Sequence, residues 1–264
     1  MKRLIVTADD AGLDPGMTAA AITAHRNGIV TACSVVANGL AIDDAVARLL
    51  EVPSLETGAH LALVEERALT TGLPMASGYR QFMSRYLSGR ISLGWIEQEL
   101  RAQIEFLLAA KLPLSFVNSH QHLHALPRIF ALVVRLADEY RIGYVRVPRE
   151  RNVRGMSARA LSVRSLGLLG AHASRRSPAT DARNDATVGI TDAGHLDTAC
   201  LVRLLEDVAE GVTELVTHPG TSVTSYAHWN YAWDRETAAL CDPTVRRAIE
   251  ARGITLIRPS DLSF

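Results

Sequence analysis

The chain has 264 residues, 48% hydrophobic and 21% charged, enough apolar material for a packed core and a composition that excludes a disordered chain. Lys plus Arg and Asp plus Glu number 28 each, so the net charge is zero and there is no cationic excess to neutralise phosphates; a nucleic-acid partner is not expected. Cys33, Cys200 and Cys241 are far apart, form no CxxC pair, and read as small packing side chains in a reducing compartment.

Leu4-Ile5-Val6 reads as a buried strand. Asp9-Asp10 ends the apolar stretch too early for a signal-peptide core, and no apolar run reaches the roughly 18 residues of a membrane span. The expectation is a soluble, cytoplasmic protein with no transmembrane segment. Asp14-Pro15 is a helix start, and the helix runs to about Asn27-Gly28. A strand over 32–37 and a helix over 41–50 follow, then a strand over 58–63. Residues 70–92 read as a long irregular loop. Leu93, Ile96, Leu100, Ile104 and Leu107 form one apolar stripe, which predicts a helix over 93–110. Strands are expected at 114–118, 144–147, 213–217 and 255–257, and helices at 129–140, 198–208 and 243–251. About seven apolar strands alternate with helices, which implies a parallel sheet covered on both faces. The fold class is α/β, a (β/α) barrel of seven strands, TIM-barrel-like, with an open doubly wound sheet as the alternative. One domain is expected over 1–264, with a basic insertion or helix near 149–178. No GxGxxG or GxxxxGK[ST] follows a strand.

The chemistry-bearing residues fall at the carboxyl ends of these strands, the edge where sites form in such folds. Asp9-Asp10 follows the first strand. Extended neighbours point to opposite sides, so the pair can split roles, one binding a cation and one taking a proton; a helix-capping or turn pair is the alternative. His120, His122 and His124 are spaced by two, and an extended backbone would put them on one side. Two histidines and a carboxylate suit several first-row metals, although a surface cluster or a closed structural site also fits this pattern. His218, before Pro219-Gly220, has a side chain suited to proton transfer near neutral pH or to a structural role. Arg146 reads equally as an ion-pair partner inside the barrel. His25, His172, His195 and His228 lie away from these ends. Trp95, Tyr226, Trp229, Tyr231 and Trp233 read as packing residues, with 226–233 also able to line a sugar or lipid site.

Thr7-Ala8-Asp9-Asp10-Ala11-Gly12-Leu13, His25-Arg26-Asn27-Gly28-Ile29-Val30-Thr31, Gly58-Ala59-His60-Leu61, Phe116 to His124, Val145-Arg146-Val147-Pro148 and Thr217-His218-Pro219-Gly220 are similar in combination to one family, as is the tail Gly253-Ile254-Thr255-Leu256-Ile257. Across nearly its whole length the chain resembles the YdjC/ChbG-like carbohydrate deacetylases, closest to their hopanoid-biosynthesis HpnK-like branch. The resemblance implies a barrel related to the polysaccharide deacetylases and one divalent metal ion, Mg or Zn first, with Mn, Co or Ni as alternatives. It implies Asp10, His60 and His120 as ligands, Asp9 as base, His218 as general acid and Arg146 as the residue that orients Asp9. His122 and His124 match recurrent positions and are carried as weak substrate contacts. Relatives often have an aromatic where this chain has Ala11, a change expected to widen the pocket or leave room for a substrate group, and many have Asp where it has Asn118, a change shared with the hopanoid branch.

The implied reaction is hydrolysis of the N-acetyl group of an amino sugar, with an N-acetylglucosaminyl hopanoid lipid as the expected substrate. Soluble chito-oligosaccharides are the alternative substrate, and a metal-dependent phosphoesterase or a non-catalytic sugar binder are the alternative classes. Between Arg146 and Arg176 lie eight arginines, counting both ends, and one acidic residue, Glu150. Such a segment suits peripheral contact with an anionic inner-membrane surface, or is a helix with a solvated basic face. Neither the oligomeric state, monomer or homodimer, nor the metal follows from these residues.

Overall fold

In the computed structural model, which describes residues 1–153, 156, 158–176 and 182–262, eight parallel strands alternate with helices. In chain order these are β1 (Lys2–Ala11), α1 (Pro15–Asn27), β2 (Ala32–Val35), α2 (Ile42–Leu50), β3 (Glu56–Leu61), α3 (Tyr79–Leu87), α4 (Leu93–Ala109) and β4 (Leu114–Ser119). They continue with α5 (Pro127–Glu139), β5 (Tyr144–Val145), α6 (Ala158–Arg176), β6 (Ala186–Val188), α7 (Thr198–Leu204), β7 (Gly211–Thr217), α8 (Trp233–Leu240), α9 (Pro243–Ala251) and β8 (Ile254–Leu256).

The sheet runs β5-β4-β3-β2-β1-β7-β6. Strand β8 pairs with Lys2–Leu4 of β1, whereas β2 pairs with it from Thr7 onward. With β7 along the other edge of β1, β8 and β2 share one position, so the eight strands fill the seven positions expected. The sheet is curled, and two isolated parallel bridges, Tyr144↔Ala182 and Glu150↔Thr187, link its two margins.

The period of two along β1 sorts its residues. Leu4, Val6 and Ala8 pack outward against the helices in the main core. Ile5 faces inward with Ala32, Phe116, Tyr144 and Val212, and Ile257 and Leu262 close that end. Thr7 and Asp9 continue the inward row toward the carboxyl end. The interior is thus apolar at one end and polar at the other.

The helix starts follow local chemistry. The Asp14 carboxylate accepts from the Gly16 amide at 2.8 Å, ahead of Pro15, and Ser92 Oγ accepts from the Trp95 amide at 3.1 Å. Ile96, Leu100, Ile104 and Leu107 of the expected stripe are all buried. Three elements depart from the sequence reading. Helix α3 lies within 70–92, read as loop, and fully buries only Phe82, too little to show a period. Strand β6 has three residues. Helix α8 is covered largely through small or polar side chains, among them Glu236, Thr237 and Ala239. The basic segment holds α6; of its residues, 154, 155, 157, 177 and 178 lie outside the described ones. Among the described residues no helix is long and apolar enough to cross a membrane.

Candidate active site

The strand ends bring most of the singled-out residues to one cavity of about 320 Å³, within the usual size range of ligand sites. Asp9, Asp10, His60, His120, His122 and His218 line it, with Glu65, Arg159, Trp229 and Tyr231. Its apolar wall is Val163 and Leu166 of α6 with Ile190 and Ala193.

Asp9 and Asp10 both reach this cavity although they are neighbours in a strand. Against β2, the register passes from Ala8↔Cys33 to Ala11↔Val35, so β1 carries one extra residue there. Asp10 takes that bulge with φ 72, which turns its side chain inward beside that of Asp9. Glu65, Gln121 and His122 also have left-handed φ, at 69, 51 and 54. Each costs of order 1–2 kcal/mol outside glycine, and their gathering at one cavity marks it as a strained, over-determined site. The bulge also makes Asp9 and Asp10 more than a capping pair: Asp14 does the capping.

Asp9 is held as an anion. Arg146 donates to it in a fork, Nη1 to Oδ2 at 2.6 Å and Nη2 to Oδ1 at 2.9 Å. Ser34 Oγ and Asn118 Nδ2 donate to Oδ1 at 2.7 and 3.0 Å. Burial alone would raise the Asp9 carboxyl, but the Arg146 guanidinium overrides it and holds it well below the ordinary range. The same arginine donates to Glu214 Oε1 from Nε at 2.9 Å and from Nη2 at 2.7 Å. Thr7 and Tyr144 hydroxyls donate to Glu214 at 2.6 and 2.7 Å. Arg146 is therefore an interior ion-pair partner and a clamp on Asp9 at once. The sequence reading missed Glu214, although a signal existed: Glu214 and Arg146 are single, opposite charges in otherwise apolar strand segments.

Asp10 stands between two imidazoles. Its Oδ1 lies 3.2 Å from His60 Nε2 and 2.9 Å from His120 Nδ1. One donor atom from each of the three lies within 4.8 Å of the others, so Asp10, His60 and His120 form a group able to hold a metal ion. A carboxylate and two imidazoles at these separations match the donor set of a first-row cation such as Zn²⁺, so the residues fit the group. Opposing its own burial, the two histidines hold Asp10 well below the ordinary range. Burial likewise opposes the charged form of His120, yet Asp10 and Glu65 outweigh it and lift it to about 10.

His60 is fixed from behind. Asn118 Oδ1 accepts from His60 Nδ1 at 2.6 Å while the Asn118 amide donates to Asp9. An aspartate at 118 could not make the second bond, which gives this departure a physical meaning. Ala11 is fully buried in the helix-facing core and does not line the cavity, so it does not widen the pocket as expected.

The histidine run is not extended. Residues His120–Ala125 form a tight 3₁₀ segment with left-handed Gln121 and His122, so the three rings do not share a side. His120 reaches the donor group and His122 lines the cavity, where burial holds it well below its ordinary range. His124 stands behind the cavity rather than in it: Nε2 donates to the Arg146 carbonyl at 2.9 Å, and Ser119 Oγ engages Nδ1 at 2.6 Å. Its position is that of a structural support for β5, not of a substrate contact.

His218 follows β7, with Nε2 3.9 Å from Asp10 Oδ2. Burial lowers it, so it is neutral near pH 7. Its backbone amide donates to Oε1 of the buried Glu236 side chain at 2.5 Å. The aromatic stretch divides. Trp229 and Tyr231 line the cavity, with Trp229 stacked on His120 at 5.4 Å, while Tyr226 and Trp233 pack with Leu13, Met17 and Val36. Trp95 lies against a separate cavity beside Arg85 and Arg90.

A family described as "YdjC-like protein" matches residues 3–251 of the chain. The chain belongs to this family. A carbohydrate deacetylase of Brevibacillus brevis is 37% identical over 142 residues, 53% of this chain and 57% of that protein. A carbohydrate deacetylase of Mus musculus is 28% identical over 98% of this chain and 94% of its own. The chain thus spans little more than half of the bacterial relative and nearly all of the mouse one. Among solved structures, one described as a putative cellobiose-phosphate cleavage protein from Enterococcus faecalis V583 superimposes with TM-score 0.73 at 21% identity. It covers 100% of this chain and 99% of its own, and has the same fold.

Proposed function

We propose that this YdjC-like protein is a divalent-metal-dependent hydrolase that removes the N-acetyl group from an amino sugar. The observation that carries it is the convergence, in one cavity, of a clamped anionic Asp9, the donor group Asp10–His60–His120 and the neutral His218. The relatives named carbohydrate deacetylases support the reaction class.

In this reading Asp10, His60 and His120 hold the cation, with Mg²⁺ or Zn²⁺ ahead of Mn²⁺, Co²⁺ or Ni²⁺. When bound, the cation would polarise the amide carbonyl and acidify a water molecule. Asp9 accepts the water's proton, through Oδ2, which bears fewer donors than Oδ1. Arg146 fixes the direction of that lone pair and keeps Asp9 ionised. The amine needs a proton to leave, because an amide anion is a very poor leaving group, and His218 Nε2 delivers it. One proton leaves the water for Asp9 and one arrives on the amine from His218. His218, neutral at rest, first takes up that proton from solvent, and Asp9 returns its own to solvent after the amine leaves, so the cycle balances. His122 and Arg159 face the sugar. Among the described residues one donor group is found, which favours this reading over a two-metal phosphoesterase.

For the substrate we favour a sugar on an apolar carrier, the N-acetylglucosaminyl hopanoid of the resembling branch. Val163 and Leu166 wall the cavity from α6. On the outer side of that helix Leu161 and Leu168 are 46% and 74% exposed, beside the exposed Arg164, Arg175 and Arg176. This arrangement suits peripheral contact with an anionic membrane surface. Trp229 and Tyr231 at the cavity favour the second reading, stacking of a soluble chito-oligosaccharide.

The test is acetate release from N-acetylglucosaminyl hopanoid and from diacetylchitobiose, with added metals and with chelator. Metal-dependent release from the lipid alone supports the first reading, and release from the soluble sugar alone the second. Release from neither by metal-loaded protein leaves the site standing and overturns both substrate assignments.

A further inference from the structure

Glu65 follows β3 and is absent from the residues the sequence singled out. Its backbone is left-handed, φ 69, and is pinned there by its own amide, which donates to the Ala76 carbonyl at 2.7 Å. The side chain uses both oxygens. Oε2 sits 2.9 Å from His120 Nε2, and Oε1 accepts from Gln121 Nε2 at 2.9 Å. Gln121 is itself anchored, its Oε1 accepting from the Tyr79 amide at 2.7 Å at the start of α3. Trp229 covers the face of the same imidazole.

The two nitrogens of an imidazole point to opposite sides of the ring. With Nε2 turned to Glu65, His120 presents Nδ1 to Asp10 Oδ1 at 2.9 Å, the side on which His60 Nε2 also lies. A ligating histidine commonly donates its other N–H to a carboxylate, which fixes the tautomer and ring orientation and strengthens the ligand. Glu65 is placed for that task and not for direct ligation, because it lies on the far side of the ring and Gln121 holds its second oxygen.

We infer that Glu65 is a positioning residue that locks His120 with Nδ1 toward Asp10 and His60 and so sets the affinity of that group for a divalent cation. This rests on the metal reading of the group given above. The left-handed backbone at Glu65 and Gln121 is then the local strain that aims the carboxylate at Nε2.

The experiment is competitive titration of Zn²⁺ against a chromogenic chelator, together with the visible spectrum of the Co²⁺-loaded full chain. It uses the wild type, Glu65→Ala, Glu65→Gln and Glu66→Gln. Glu65→Ala should weaken Zn²⁺ about 10–100-fold and alter the Co²⁺ bands. Glu65→Gln keeps an acceptor for the His120 N–H and should recover most of the affinity and the wild-type spectrum. Glu66, whose carboxylate accepts from Tyr226 at 2.6 Å, is the neighbouring-charge control and should leave both readouts unchanged. Wild-type affinity and spectrum in Glu65→Ala would overturn the inference and leave the metal reading intact. Failure of the wild type to bind either ion would overturn both.

Discussion

Replacing Arg146 with methionine tests whether one cation holds the interior of the barrel together. Arg146 is fully buried and its guanidinium makes four hydrogen bonds, two to Asp9 and two to Glu214. Those carboxylates are 2% and 0% exposed, so neither can recover water when the guanidinium is removed. Breaking a buried ion pair by deleting one partner costs about 3–5 kcal/mol. Here one deletion strands two anions, which places the loss at the upper end, against a total stability of about 5–15 kcal/mol for a domain. Urea unfolding followed by circular dichroism at pH 7 reads the loss as a lower midpoint at unchanged slope. Glu214→Gln removes the excess negative charge while keeping an acceptor, so it should cost less. The double variant Arg146→Met with Glu214→Gln should be less destabilised than the sum of the two, because only Asp9 is then left unpaired. A loss for Arg146→Met within the about 0–1 kcal/mol of an exposed pair would refute this reasoning.

Two further outcomes are expected. His218→Ala should lower kcat for acetate release about 10²–10⁴-fold, the share of a general acid, while metal content measured by elemental analysis stays at the wild-type level; normal turnover would remove His218 from the mechanism. Glu236 is fully buried, and burial pushes its carboxyl up to about 8. A raised acid holds its proton more tightly when folded, so its contribution is fully present below about pH 4.5 and is lost as pH rises to about 8, some 3–5 kcal/mol in all. Glu236→Gln cannot ionise, so its stability relative to wild type should climb across that window; parallel curves would show that Glu236 does not titrate there.

The sequence by itself determined the layering and the identity of most groups at the site. Short apolar runs such as Leu4-Ile5-Val6 read as buried strands, and the stripe from Leu93 to Leu107 as a helix packed on one face, because hydrophobic periodicity is a local property of the chain. Strand ends in such a fold face one edge, which gathers Asp9, Asp10, His120 and His218 there, and the family resemblance added His60 and the roles. Helix α8 and strand β6 were illegible because one is covered through polar and small residues and the other is three residues long. Tertiary structure alone decided what the groups do to each other. A bulge at Asp10 turned two neighbours into one cavity. A left-handed turn at Gln121 and His122 split a regular histidine run into a donor, a wall residue and a buried support. Glu214 and Glu65 acquired meaning only through Arg146 and His120, 68 and 55 residues away in the chain. Burial and pairing between distant segments set these charges, and no local pattern carries that information.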